Sequence, residues 1–365
     1  MGRNARALVL VAGLVIAVAA GLVATLVVHS TRPRHAKVKV APIGALDVDR
    51  PFGVGYVPAA RFEWPVRPFD HPHVLRATFG EPRGLLDAGG PSGGGPARAQ
   101  YLASIGQIAA LGQRILHSGI DIVVADGTPV YALTSGTART GGGNGYDRYV
   151  IVGGFGYWHL SNTVAVGTRV TAFKTILGYV YPGQGHVHLT RYAAPGLGEA
   201  GDDPVNPLLG GGISPYVDTA APLLGAVRAF DTSQQRVPLG ALKGPVVLAV
   251  NAVDVQSAGG TRTGVYSLGY RLQDASGARV LGPIRVFEFQ VLPAKGVANR
   301  LYTVASTRHT FRTRFWYRIT DRAPTNDGFL HTERLKPGVY RLEITAGDAR
   351  GNVARRGYML GVARP

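Results

Sequence analysis

The chain has 365 residues, no cysteine, and a formal net charge of +17 from 39 Lys and Arg against 22 Asp and Glu. That length allows about two domains, each able to bury its own core, and the lack of cysteine excludes a disulfide framework and thiolate chemistry. The positive balance suits adhesion to an anionic surface, while the scatter of the basic residues and the lack of a base-reading motif exclude nucleic acid as an expected partner.

Residues Ala7–Val28 are 22 positions without a charge, enough at 1.5 Å per residue to span about 30 Å of hydrocarbon. The spacing predicts a signal anchor or transmembrane helix within residues 1–30, giving the chain a membrane partner. A cleaved signal peptide is the alternative, with Ala17-Val18-Ala19 resembling a cleavage site, although its apolar region is usually only about 7–15 residues long. Pro33, Pro42, Pro51 and Pro58 punctuate residues 31–60, which read as a linker.

From residue 61 to residue 210 the pattern is β-rich. Phe62 and Trp64 alternate with charged neighbours and are expected to open the first strand, Trp64 as a packing residue. His71-Pro72-His73 is read as loop, because proline breaks a strand. Residues 84–116 form an insertion: Gly89–Pro96 is too rich in glycine for regular structure, and Ala97–Leu111 has modest helical character. Further strands are expected at Ile122–Val124, Val130–Leu133, Tyr149–Val152 and Val164–Val170, with Gly141–Gly145 as a hairpin tip.

Gly210–Gly212 and Pro215 mark a boundary, and a second region runs over residues 218–363. Apolar and polar residues alternate in Val246–Val255, Val265–Leu272, Ile284–Val291, Phe311–Ile319 and Val339–Ala346, with turns at Asp274–Gly277 and Asp348–Gly351. Short strands at this spacing predict an antiparallel β-sandwich, and the region is similar to immunoglobulin-like or fibronectin-like modules. Trp316 and Tyr317 read as core. His309 and His331 have no companion carboxylates at ligand spacing, so the module is expected to be an adaptor, a spacer or a wall-binding element with no chemistry of its own, and an envelope protein is the partner to expect for it.

Two short stretches carry the chemistry: His117-Ser118-Gly119-Ile120-Asp121 and His186-Val187-His188. Alternate side chains of a strand share a face, so His186 and His188 project to one side while Val187 points into a core. Gly119 lets the backbone bend between His117 and Asp121. One histidine and the aspartate of the first stretch, with one histidine of the second, make three ligands for a tetrahedral zinc with an open fourth position. The histidine left over is free for proton transfer.

The ordered set His117-x-Gly119-x-Asp121, Gly127-Thr128-Pro129-Val130-x-Ala132, Tyr157-x-His159-Leu160 and His186-x-His188 resembles the lysostaphin-type (LytM-like) zinc endopeptidases, which cut peptide cross-links of peptidoglycan. Phe79-Gly80 followed by Arg83 is similar to the family's opening motif and Val205-Asn206-Pro207 to its closing turn, so the likeness covers roughly residues 62–209. The opening is one residue longer than the family pattern, the hairpin Gly153–Gly156 is shorter, and Gly185 stands where proline is usual. The resemblance implies a LytM-like peptidase domain over 61–210, Zn2+ held by His117, Asp121 and His188, and catalytic roles for His159 and His186. It also implies peptidoglycan as substrate and a catalytic part outside the cytoplasm, in the periplasm or at the cell surface. The charges flanking the apolar segment, Arg3 and Arg6 before it and Arg32, Arg34, Lys37 and Lys39 after it, run against that orientation. The alternative from another class is a catalytically silent envelope scaffold or regulator of cell-wall amidases.

Overall fold

The computed structural model describes residues 62–83, 115–143, 145–193, 204–210, 212–257, 259–293, 297–303, 305–306, 313–320 and 327–364, all within one compact unit spanning residues 51–365. The expected membrane helix, the linker, most of the 84–116 insertion and His309 lie outside the described residues. Among the described residues no helix is long and apolar enough to cross a membrane. The fold is mainly β, as the alternating patterns predict.

The first sheet has the order Leu75–Ala77, Ile120–Val123, His186–Tyr192, Phe155–Trp158, Tyr149–Val152, Arg139–Gly141, and Pro204–Val205 pairs with the far end of His186–Tyr192. Every ladder in it is antiparallel. A smaller sheet joins Leu160–Ser161, Ile176–Val180 and Pro129–Tyr131. Between them lies a core that includes Trp64, Ile120, Ile122, Tyr157, Leu160, Leu177, Val187 and Leu189. Burying alternate residues fixes the register, since a slip by one would turn every core side chain to the other face.

In the second region one sheet is built on Pro245–Val255, which pairs with Leu223–Phe230, Phe315–Arg318, Leu330–His331 and Arg262–Thr263. The other has the order Arg279–Glu288, Ser267–Gln273, Gly338–Gly347, Val353–Val362. Side chains of both sheets, among them Leu248, Val250, Leu268, Phe315, Leu342 and Ile344, share a second core. Phe79 and Leu116, from the first region, belong to this second core as well. The residue immediately before His117 is thus anchored by the other half of the molecule.

Several expectations need correction. Phe62 forms only an isolated bridge with Ile213, and the first strand is Leu75–Ala77. Residues 164–170 are not one strand: Gly167 turns the chain in the left-handed region, Val166 is 70% exposed, and only Arg169–Val170 pair. Val246–Val255 does not alternate, because Val246 through Val250 are all buried in a central strand. Leu223–Phe230 and Val353–Val362 were not marked by the sequence pattern. His331 does have carboxylate companions, Asp327 at 2.6 Å and Glu333 at 2.5 Å. Trp64, Trp316 and Tyr317 are buried as expected, with the Arg228 guanidinium lying 4.0 Å over the Trp316 ring.

Candidate metal centre

The antiparallel register places His188 directly between Asp121 on one neighbouring strand and Trp158 on the other, and sets His186 opposite Val123. Facing residues of adjacent strands share a face, so Asp121, His186 and His188 project to one side. Val187 is buried on the opposite side. His117 lies just before this sheet and is tied to the Gly80–Glu81 segment by backbone bonds from Gly80 N to His117 O and from His117 N to Glu81 O. Tyr302 in turn donates its hydroxyl to the Gly80 carbonyl at 2.9 Å, and the Gly264 amide donates to Glu81 at 3.0 Å. The second region therefore props the loop that carries the first histidine.

Gly119 is required for a reason other than a bend. A Cβ there would lie 2.1 Å from the Leu189 carbonyl oxygen and 3.0 Å from His188 Cε1. Its lack of a side chain allows the first motif to approach the second.

The three ligand atoms converge. His117 Nε2 is 3.0 Å from Asp121 Oδ1 and 2.8 Å from His188 Nδ1, and His188 Nδ1 is 3.0 Å from Asp121 Oδ1. Ligands of a tetrahedral zinc with bonds near 2.0–2.2 Å stand about 3.3 Å apart, so a small outward movement admits the ion. The donor chemistry fits as well. The Thr78 carbonyl, 2.8 Å from His117 Nδ1, can only accept, so that nitrogen carries the proton and Nε2 presents its lone pair. His188 Nε2 meets the Thr190 hydroxyl at 2.9 Å, which can accept or donate. When Nε2 donates to Thr190, His188 Nδ1 is also a lone pair, and three buried acceptors face one point. One shared proton, or a cation, is needed to hold them together. The buried His117–Asp121–His188 group can thus hold a metal ion.

Electrostatics prepare the same state. Burial first, then the Arg83 guanidinium, push the His117 imidazole down to about 3, leaving it neutral near pH 7. Burial alone would raise Asp121, but its close contacts with His117, His186 and His188 hold its carboxyl well below the usual range. Its Oδ2 also faces Arg83 at 3.4 Å and Arg76 at 3.7 Å. One carboxylate oxygen is thereby committed to guanidinium groups and the other to the imidazoles.

Two further histidines stand beside the trio. His186 Nε2 lies 3.8 Å from Asp121 Oδ1, and its Nδ1 donates to the Gln184 carbonyl at 2.6 Å. Gln184 is held in a loop whose Gly183 and Gly185 amides donate to Asp126 at 2.6 and 2.8 Å. Burial drives the His186 pKa well below its ordinary value. His159 Nδ1 donates to the Tyr146 carbonyl at 2.6 Å, and its ring centroid is 4.8 Å from that of His186. The His159 backbone has φ +66, a left-handed conformation uncommon for residues with a side chain. At this residue the chain leaves the large sheet, where Phe155–Trp158 pairs with His186–Tyr192, and enters the small one, where Leu160–Ser161 pairs with Ile176–Val180.

All five residues singled out from the sequence therefore meet in one place. The sequence reading missed the supports: Thr78, Gln184 and Tyr146 through their carbonyls, Asp126 through its loop, Arg76 through its charge, and Thr190. Only Thr190 had a signal, since it lies two residues beyond His188 on the same strand face. No protein-family model matches this chain, and no curated relative matches it.

Proposed function

We propose that the chain is a zinc-dependent endopeptidase that hydrolyses peptide bonds in peptidoglycan stem or cross-bridge peptides. In this reading residues 61–210 are a LytM-like peptidase domain and residues 218–363 an immunoglobulin-like sandwich that supports it and offers a surface for an envelope partner. An N-terminal helix tethers both outside the cytoplasm. The observation that carries the reading is a buried trio of lone-pair donors beside two further imidazoles, each with Nδ1 pinned to a backbone carbonyl. The order of the matching motifs along the chain adds to it.

His117, Asp121 and His188 would hold the ion. When bound, zinc supplies Lewis acidity toward the scissile carbonyl and lowers the pKa of a water to about 7. The chain's own contribution is proton handling. Because His186 is held neutral and its Nδ1 is occupied, its free valence is Nε2, suited to accept a proton from the attacking water. His159 is oriented the same way by Tyr146. A proton taken by either ring makes its Nε2 a donor, able to steady the developing oxyanion or to protonate the leaving amine.

The test pairs metal content with activity on purified cell walls. One zinc per chain, with loss of wall turbidity that stops on chelation and returns with zinc, is the expected outcome. A chain that binds zinc yet clears no wall type, and releases no new amino termini from peptidoglycan fragments, would overturn the peptidase reading in favour of a silent scaffold or amidase regulator.

A further inference from the structure

A second cluster lies away from these histidines, where the two cores meet. Asp218, Asp254 and Asp348 each offer a carboxylate oxygen, all within 4.8 Å of one another, and all three residues are buried. They come from different parts of the chain. Asp218 sits on the connector that follows Tyr216 of the first core, Asp254 on the strand Pro245–Val255 of one sheet of the second region, and Asp348 just beyond Gly338–Gly347 of the other sheet. Ala349, next to Asp348, packs against both cores.

The groups around the cluster are neutral donors. Asp218 Oδ1 accepts from the amides of Ala220 and Ser257 and from the Ser257 hydroxyl, and its Oδ2 accepts from the Tyr216 hydroxyl. Asp348 Oδ1 accepts from the Arg350 and Asn352 amides and Oδ2 from the Asn352 side chain. Asp254 Oδ2 accepts from Gln256 at 3.0 Å. Asp254 Oδ1 is buried with no hydrogen-bond partner, on a residue only 2% exposed. Among the described residues no Lys, Arg or His forms an ion pair with any of the three carboxylates.

A buried ionised carboxylate with neither a counter-charge nor a full set of donors is strongly disfavoured, and three together compound the cost. A divalent cation satisfies both demands at once. The donors are all oxygen, which excludes the soft preferences of zinc and favours a hard ion. Opposite ligands of calcium, with bonds of 2.3–2.6 Å, stand about 5 Å apart, a span that contains this cluster.

We propose that Asp218, Asp254 and Asp348 form a calcium site that fastens the connector to both sheets of the second region, at the junction with the first core. The site is independent of the zinc centre and of the peptidase reading. Because the second region props the His117 loop through Tyr302 and Gly264, calcium would set the rigidity of the platform on which that loop rests.

The experiment uses the full chain in detergent, stripped of metals and then reloaded with one equivalent of zinc. Calcium is titrated while thermal unfolding is followed, and Tb3+ is used as a luminescent calcium analogue excited through tyrosine, with Tyr216 adjacent to Asp218. The expected result is one calcium per chain, a rise in Tm with calcium concentration, and Tb3+ emission that calcium displaces at much lower concentration than magnesium. Asp254→Asn should weaken calcium binding at least tenfold, whereas Asp231→Asn, at a turn carboxylate outside the cluster, should leave it unchanged. The calcium response should persist in His188→Ala, which separates this site from the zinc centre. If Asp254→Asn does not fold, Asp348→Asn serves as the second variant. Lack of stoichiometric calcium binding by the wild type would overturn the proposal, as would undiminished binding by the aspartate variants.

Discussion

His117, Asp121 and His188 bring one carboxylate together with two imidazoles, whereas Asp218, Asp254 and Asp348 bring three carboxylates and no base. In the first trio Asp121 is already compensated by Arg76 and Arg83, and a single proton on His188 can bridge the ligand atoms. That trio is consistent with a folded protein with or without metal. The second has only neutral donors and one partnerless oxygen, so its charge must be met by an ion or removed by protonation. Nitrogen donors with one carboxylate suit zinc; oxygen donors alone suit calcium. On the two proposals, the same chain would separate a site for chemistry from one for cohesion.

The strongest way to break this contrast is to remove a ligand from the first trio. His188→Ala or Asp121→Ala is expected to abolish zinc binding, measured by metal analysis, and to reduce wall clearing to background. Next, His186→Ala should retain most of the zinc while kcat falls by about 10²–10⁴-fold, the usual contribution of a positioned acid–base group. Full activity in that variant would remove His186 from its assigned role.

Arg83→Met probes the compensation itself. Arg83 pairs with Glu81 at 3.1 Å and with Asp121 at 3.4 Å, all three buried. Its loss is expected to destabilise the fold by about 3–5 kcal/mol, since breaking a buried pair strands the opposite charge. Urea unfolding checks this, and a change below 1 kcal/mol, well under that range, would show that neither carboxylate depends on Arg83.

The smallest effect concerns a cluster near the surface. Hydrogen bonds to Asp327 first, then Glu333, raise the His331 pKa above its ordinary value of 6.5. Because the folded value is raised, the stabilisation is fully present below 6.5 and is lost as pH rises through the folded value. His331→Asn should therefore cost less than about 1 kcal/mol at pH 5.5 and nothing measurable at pH 9. A difference that grew with pH would contradict the sign.

Four residues of the first site were legible from their spacing, while His159 was singled out by the family resemblance and lies between two strands. His186 and His188 share a face whatever sheet they join, and glycine between His117 and Asp121 signals close approach. Their supports were not legible, because Thr78, Tyr146 and Gln184 act through carbonyls that every residue possesses. The acidic trio left no trace for the same kind of reason. Asp218, Asp254 and Asp348 are separated by 36 and 94 positions (254 − 218; 348 − 254), and nothing in their local sequence marks them as neighbours.

Sequence alone determined the β character of the chain, the facing of His186 and His188, and the burial of Trp64 and Tyr317, since period-2 alternation and side-chain size act locally. Tertiary structure alone decided that Leu116 anchors in the second core, that His159 turns between two sheets, and that three distant carboxylates share one buried space. Those outcomes depend on which strands pair and which faces close over one another, and such long-range packing is set by the whole chain rather than by any window within it.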